Sequence, residues 1–386
     1  MIIHSNLDFS FGAFPSSVLI TRGLPTLSHI REDWKEEGPF NPLLVCDEHT
    51  LPLAQKISGG EKVPFCVIPS GEKFKTWPQV ETILKSAQEA GLGRDGVFIA
   101  VGGGVLSDLT AFAASVYMRG AKIVFVSTSL LGMVDASLGG KTGFDLFGIK
   151  NLAGTFYPAR RIYIALESLV GLPPAEWKAG MAELIKTAVI EGDSFLDQID
   201  SLREEYTSGD FRAGFPRSFI RDLMNTKTET LLSCITLALS CKGRIVGSDP
   251  QEKGEVRALL NLGHSFAHAL ESGAGLGSVS HGEAVAWGIA RSCELGLALG
   301  ITPWDRAERI STSLRNWGYE ITVPHPLIHD KEKIMKALGS DKKKRGGQPV
   351  FVVPNQFGAQ LVYGGTGDKT LLESILSQIM NGEINF

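Results

Sequence analysis

Short apolar runs alternate with stretches of helical spacing through the first 170 residues. Segments 43–46 (LLVC), 65–68 (FCVI), 97–101 (VFIAV) and 123–126 (IVFV) hold only aliphatic, aromatic and cysteine side chains. Strands buried on both faces of a parallel sheet have this texture. Between them, 77–92 (WPQVETILKSAQEAGL) spaces its apolar residues three and four apart and stops near Gly91 and Gly93, which predicts an amphipathic helix. Strands alternating with helices predict a layered α/β domain, with 161–166 as its closing strand. After Leu172-Pro173-Pro174 the pattern changes. Segments 175–190, 219–239, 264–272, 283–299 and 303–317 read as helices. Strand patterning returns at 349–353 and 359–363, flanking Asn355-Gln356-Phe357-Gly358 as a hairpin. The expected division is an α/β domain over 1–170 and a mainly α-helical domain over 171–386, with the active site in the cleft between them.

Length and composition agree with this division. A chain of 386 residues suits two domains, and 43% hydrophobic with 21% charged residues is an ordinary globular balance. A net charge of −4 argues against a generally basic nucleic-acid binder, though not against a local cationic pocket. No apolar stretch approaches the ~20 residues of a membrane span, and MIIHSNLDFSFG lacks the features of a signal peptide. The five cysteines are scattered without a CxxC pair, so neither a disulfide framework nor a cysteine zinc site is indicated. The cytoplasm is the expected compartment. Glycine, at 44 residues, is clustered in pairs and triplets, as in loops that bring backbone close to a ligand.

Three groups of residues point to chemistry. The run 97–101 passes into Gly102-Gly103-Gly104 and then into a helical stretch at 105–119. A glycine turn between strand and helix offers backbone N–H groups and a helix N-terminus to a pyrophosphate, although a plain tight turn fits the same letters. Asp47 ends a strand where a ribose-binding carboxylate is expected, and Glu72 and Lys75 follow the next strand. Second, His264 and His268 share a helix face, and His281 follows a glycine-rich loop. Three histidines within 18 residues favour a metal over satisfied core histidines. Glu183 and Lys186 stand three apart among apolar neighbours, the setting of a buried pair that meets a metal or an ionic ligand. Third, isolated cations lie in glycine-rich or apolar segments: Lys141, Lys150 beside Asn151, Lys242, Arg257 and the run 342–344, which taken alone fits a solvated turn better. A net acidic chain that does this is expected to bind a polyanion.

The segments GEKFK (71–75), VGGGVLSDLTAFAASVYMRG (101–120), STSLLGMVDASLGGKTG (127–143), KN (150–151), KAGMAELIK (178–186), RALLNLGHSFAHALE (257–271), HGEAVAWG (281–288) and DKK (341–343) follow one another in order. With them the chain resembles the sugar phosphate cyclases and, within them, the 3-dehydroquinate synthases. The resemblance covers about residues 40 to 355. It implies a Rossmann-like α/β N-terminal domain, a mainly α-helical C-terminal domain, a bound NAD, one divalent metal (zinc or cobalt) and a homodimer. It implies that Glu183, His264 and His281 are the metal ligands, which leaves His268 as a catalytic or hydrogen-bonding group. Asp47, Glu72, Lys75, Gly103, Gly104, Asp108, Thr128 and Ser129 fall on NAD-contacting positions. Asp135, Lys141, Lys150, Asn151, Lys186, Lys242, Arg257, Asn261, His268 and Lys343 fall on substrate-pocket positions. Among these, Lys186, Lys242 and His268, with Asp135 and Asn261, form the expected catalytic set. Arg119 matches an arginine that reaches the neighbouring subunit's pocket.

The implied reaction converts 3-deoxy-D-arabino-heptulosonate 7-phosphate to 3-dehydroquinate and phosphate. It proceeds by transient oxidation with NAD, β-elimination, reduction and intramolecular aldol closure, as a step of aromatic biosynthesis. GGKTG, Asn261 and the lysine of DKK favour this substrate over sedoheptulose 7-phosphate. A metal-dependent polyol dehydrogenase is the more distant alternative. The chain departs from the family pattern in three places. Ala165-Leu166 or Glu167-Ser168 stands where many members have an Asp-Thr pair, GHSFAH carries Ser265 and Ala267, and one residue is inserted between Asp249 and Arg257.

Overall fold

Three of the uninterrupted apolar runs form the centre of a seven-stranded sheet; the fourth, 65–68, is its edge, so Val67 is exposed there rather than buried on both faces as its run suggested. The structure is a computed structural model that describes residues 2–203, 211–212, 215–275, 278–323, 325–326, 331–340, 350–363 and 369–384. It divides into two units, Met1–Pro173 with Lys242–Gln251, and Pro174–Cys241 with Glu252–Phe386.

In the first unit the strands of the main sheet are β1 (Ile3–Phe11), β2 (Phe14–Thr21), β3 (Asn41–Asp47), β4 (Phe65–Ile68), β5 (Gly96–Gly102), β6 (Lys122–Ser127) and β9 (Arg161–Ala165). Their order is β1-β2-β9-β6-β5-β3-β4, and every pair except β1 with β2 is parallel. All seven residues of β5 are buried. Alternate side chains of the central strands, among them Leu44, Cys46, Ile99, Val101, Val124 and Val126, pack with Leu27, Ile30 and Trp34 of the α1 (Leu27–Asp33) region and with Ala54 and Ile57 of α2 (Leu51–Ser58). Period-two alternation sends Leu43, Val45, Phe98 and Ala100 to the opposite face. The helices α3 (Trp77–Glu89) and α4 (Gly104–Val116) contact β4 and β5 respectively.

The chain leaves β3 for β4 on one side and returns as β5 on the other, so the direction of winding reverses between β3 and β5. Cys46 pairs with Val101 there, which puts the carboxyl ends Asp47 and Gly102 side by side. In open α/β sheets ligands bind at such a reversal.

Two hairpins depart from the sequence reading, which placed no strands in those segments. The first, β1 with β2, has one apolar-poor edge strand, IHSNLDFSF, so no apolar run announces it. The second pairs β7 (Lys141–Leu146) with β8 (Ile149–Phe156). Its glycines imitate a loop, but they allow close approach of the two backbones: a Cβ on Gly154 would lie 2.0 Å from the Thr142 carbonyl oxygen. Phe147 and Gly148, at φ 53° and 75°, make the two-residue turn, the left-handed geometry that matches strand twist.

The second unit is mainly helical: α5 (Pro174–Glu191), α6 (Asp193–Ser201), α7 (Arg217–Thr226), α8 (Thr228–Ser248), α9 (His264–Ala274), α10 (His281–Ala298), α11 (Trp304–Asn316), α12 (Lys331–Ser340) and α13 (Lys369–Met380). A small hairpin joins them, β10 (Val350–Pro354) with β11 (Ala359–Tyr363). The single helix expected over 219–239 is two. Lys227 leaves helical geometry at φ −114°, ψ 17°, flanked by Thr226 and Thr228, whose hydroxyls bond the carbonyls of Asp222 and Met224. Such bonds compete with the helix. The last two turns of α8, from Lys242, group with the first unit. This helix is also long and apolar enough to cross a membrane, with mean hydropathy 1.3, against the sequence reading, but 61% of the window is buried inside the protein.

Helices α9 and α10 touch through backbone. A Cβ on Gly288 would stand 2.1 Å from the Gly263 carbonyl oxygen and 3.1 Å from the Ala267 nitrogen. Neither atom can rotate away. Gly288→Ala should therefore destabilise the protein by ~1–3 kcal/mol, read as a lower urea midpoint. Gly171→Ala, with nothing within 4 Å, should stay within ~0.5 kcal/mol of the parent. Equal midpoints for the two variants would contradict the packing argument.

Candidate metal centre and nucleotide turn

Three helices of the second unit bring Glu183, His264 and His281 together. Their ligand atoms lie within 4.8 Å of one another. Helix α5 is walled in on all sides, and each residue from Trp177 to Ile190 is buried. Glu183 is thereby carried to full burial, 0% exposed. His264 opens α9 and His281 opens α10, so both project from helix starts. Glu183 Oε1 lies 3.2 Å from His281 Nε2 and 3.7 Å from His264 Nε2, while Oε2 faces the Lys186 ammonium. His264 Nδ1 is 3.2 Å from the Leu262 carbonyl. Donation of that N–H fixes the tautomer and turns the Nε2 lone pair toward Glu183.

The electrostatics follow from burial and from these neighbours. Burial alone would raise the Glu183 carboxyl, but the Lys186 ammonium, the His281 hydrogen bond and His264 hold it well below the usual carboxylate range. Burial first, then Lys186, pushes His264 down to about 3, so it is a neutral imidazole at pH 7. His281 opposes its own burial through Glu183 and Glu271 and is raised to about 9. One ionised carboxylate with two imidazoles is a donor set for a divalent ion such as zinc, and three protein ligands leave positions open for another molecule.

The other candidates in this unit lie on neighbouring turns. The His268 ring is perpendicular to that of His264 with centroids 5.8 Å apart, and His268 is exposed. Arg257 is buried at 3%, and Asn261 Nδ2 donates to Glu252 Oε1 at 3.4 Å. Lys343 lies outside the described residues.

In the first unit the glycine turn opens α4. Gly103 is its N-cap without a side-chain cap bond, so the leading N–H groups face outward. Added Cβ atoms would meet Ser129 Oγ at 3.0 Å from Gly103 and the Ala136 Cβ at 3.1 Å from Gly104. Thr128 N donates to the Gly102 carbonyl, and Ser129 Oγ accepts from Gly132 N. Asp47 uses Oδ1 to accept from the amides of His49 and Thr50, which leaves Oδ2 outside this turn. Glu72 is exposed. Lys75 is buried and donates at 2.6 Å to both Asp108 Oδ2 and Asn151 Oδ1. Lys242 meets both the carbonyl and the carboxylate of Asp135. Lys141 and Lys150 are exposed at the foot and the turn of the β7–β8 hairpin, and Arg119 is exposed at φ 72° after α4.

Models of the N-terminal and C-terminal regions of 3-dehydroquinate synthase match residues 65–179 and 180–344. A curated 3-dehydroquinate synthase of Prochlorococcus marinus (strain NATL1A) is 37% identical over 314 residues, 81% of this chain and 80% of that one. The chain belongs to the 3-dehydroquinate synthase family. The Nostoc punctiforme 3-dehydroquinate synthase is 35% identical over 79% of each chain. Among solved structures, the 2-epi-5-epi-valiolone synthase of Streptomyces hygroscopicus subsp. jinggangensis 5008, with NAD+ and Zn2+ bound, superposes with a TM-score of 0.77. It covers 95% of this chain and 96% of its own at 24% identity. A 2-deoxy-scyllo-inosose synthase complexed with carbaglucose-6-phosphate, NAD+ and Co2+ gives 0.72 at 21% identity, over 98% and 99%. These structures establish the 3-dehydroquinate synthase-like fold.

Two carboxylates of this family member escaped the sequence reading. Glu271 lies 3.6 Å from His281 Nδ1, on the ring edge away from Glu183. Its place seven residues after His264, on the same helix face, was the available signal. Asp145 accepts from the amide of Asn151, which sits at φ 52°, and its own N–H donates to the Lys75 carbonyl. It ties the hairpin to the buried lysine, and no spacing rule marks it. The Lys75–Asp108 pair gives a stability test. Lys75→Met leaves the Asp108 carboxylate without its ammonium and should cost ~3 kcal/mol, whereas Lys75→Met with Asp108→Leu should recover most of the loss. Urea unfolding decides it; a double variant no more stable than the single would contradict the pairing.

Proposed function

We propose that this member of the family is a 3-dehydroquinate synthase: a phosphate-eliminating lyase that converts 3-deoxy-D-arabino-heptulosonate 7-phosphate to 3-dehydroquinate in aromatic biosynthesis. The observation that carries the reading is the meeting of Glu183, His264 and His281 beside the Lys186 ammonium. The donor set fits a zinc or cobalt ion. The uncapped start of α4, behind glycines that let Ser129 and Ala136 pack close to the turn, fits the pyrophosphate of NAD. When bound, NAD would supply a reversible hydride acceptor and the metal a Lewis acid for neighbouring hydroxyls.

The chain's own residues supply the rest. Lys186, 2% exposed, and Lys242, held on Asp135, are ammonium groups fixed in place, suited to hold a proton at the hydroxyl being oxidised. His268 and Asn261 offer exposed and half-buried polar ends to the same substrate. Lys141, Lys150, Asn151 and Arg257 supply the charge and hydrogen bonds that a phosphate and a carboxylate require. The five cysteines, free and buried, suit the reducing cytoplasm.

Purified protein with the heptulosonate phosphate, NAD and Zn2+ should release one phosphate per dehydroquinate without lasting NADH. Stoichiometric NADH would support the polyol dehydrogenase instead. In the same preparation His264→Ala and His281→Ala should lose bound metal, while His268→Ala keeps it and loses ~10²–10⁴-fold in rate. Retention of metal by His281→Ala would overturn the ligand assignment.

The working unit in this proposal is a homodimer in which Arg119 completes the partner's site. Arg119 stands exposed at the end of a short turn beside Val116 and Met118, which are 44% and 50% exposed. An arginine flanked by exposed apolar side chains suits a contact between copies. Arg119→Ala and Lys186→Ala should each be nearly inactive alone. Unfolded, mixed and refolded together, they should regain roughly a quarter of wild-type sites, because about half the dimers are mixed and each holds one whole site. Background activity after verified exchange would place Arg119 within its own chain's site.

A further inference from the structure

A buried ammonium outside the ligand set ties two of the ligand-bearing helices together. Lys178, on α5, is 5% exposed. Its three protons have three acceptors: Glu283 Oε1, the Gly318 carbonyl at 2.8 Å and the Arg212 carbonyl at 2.9 Å. Tyr319 closes the ring, its hydroxyl donating to the Lys178 carbonyl at 2.6 Å.

Glu283 has been diverted to this tie. Ser280-His281-Gly282-Glu283 spells the helix-start signature in which the acid's side chain reaches back to the cap residue. Only half of that box forms: Ser280 Oγ accepts from Glu283 N at 3.3 Å. The Glu283 carboxylate turns instead to Lys178 and, at 3.4 Å, to the amide of Glu320. Between the two charges the helices touch. A Cβ on Gly282 would lie 2.5 Å from Ala179 Cα and 3.2 Å from the Lys178 carbonyl oxygen. Backbone contact sets how near two helices come but does little to stop one sliding along the other. The ion pair opposes that sliding.

We propose that the Lys178–Glu283 clasp fixes the register of α5 against α10, and so sets the Glu183–His281 separation for the metal. Lys178 and Glu283 are positioning residues; neither belongs to the ligand set. Glu183 is four residues beyond Ala179, ~6 Å along its helix, and His281 adjoins Gly282. A slip at the clasp therefore passes into the 3.2 Å separation of Glu183 Oε1 and His281 Nε2. The inference rests on the metal reading above.

The test measures Zn2+ affinity of the metal-free protein by competition with a chromophoric chelator. Lys178→Met, Glu283→Gln and the double variant are compared well below each one's metal-free melting temperature. Each single variant should bind Zn2+ ~10–100-fold more weakly, the usual effect of losing a group that orients ligands, and the double should be no worse than the weaker single. The visible spectrum of the Co2+-loaded singles should shift from the parent's, which a loss of stability alone would not cause. Singles within about twofold of the parent, or losses that multiply in the double, would overturn the clasp. If Lys178→Met does not fold, Glu283→Gln carries the test alone: it keeps the ammonium with its Gly318 and Arg212 carbonyl acceptors and removes only the ion pair, and unchanged affinity there overturns the clasp equally. A parent protein that binds neither Zn2+ nor Co2+ would overturn the metal reading, and the clasp's role with it.

Discussion

Glu183 holds an ionised carboxylate where none of it reaches water, and the second unit is arranged around that cost. A buried carboxylate left alone would take up a proton. Here its two oxygens are divided: Oε2 belongs to Lys186, and Oε1 faces two imidazoles. The arrangement needs α5 to be buried on its whole circumference, since only a helix walled in by others excludes solvent from a side chain of this length. It also needs an ammonium supplied from one turn away and imidazoles from two other helices.

The first unit meets the opposite requirement. It must leave backbone donors open, and it does so where the winding of the sheet reverses. Gly103 caps α4 with no side chain, and Asp47 ends the adjacent strand at the same level. Anionic groups suit the first of these and hydroxyls the second. Lys75, Asp108, Asn151 and Asp145 then form one connected set that fixes the β7–β8 hairpin. The hairpin's other anchor is the buried Phe144, whose ring packs against Trp77 and Phe112.

The sequence made legible whatever depended on local pattern. Strands β3, β5 and β6 are buried on both faces, so their apolar runs mark them nearly to the residue; β4 is marked as well, although it is the sheet edge and leaves Val67 exposed. Glu183 with Lys186, and His264 near His281, stood out by spacing. What stayed hidden has a physical reason in each case. The strand β1 lies at a sheet edge and alternates polar residues. The strands β7 and β8 use glycine for close backbone approach, where sequence rules read it as a turn. The break at Lys227 depends on two threonine hydroxyls rather than on proline or glycine. Lys178 and Glu283 are 105 residues apart and meet only in the fold.

Glutamate and histidine are short side chains, and to converge within 4.8 Å their helices must approach closely. That explains why α10 carries glycine at 282, against Ala179 of α5, and at 288, against Gly263 of the turn before α9. Larger residues would spread the helices by the width of a side chain and separate the three donors. Backbone contacts of this kind have almost no compliance, so they fix distance sharply but leave sliding and rotation to be set by polar ties. His264 has such a tie in the Leu262 carbonyl, His281 in Glu271, and Glu183 in Lys186. Distance is thus set by the smallest residues and orientation by charged ones, and the donor set keeps its geometry without a loop in it.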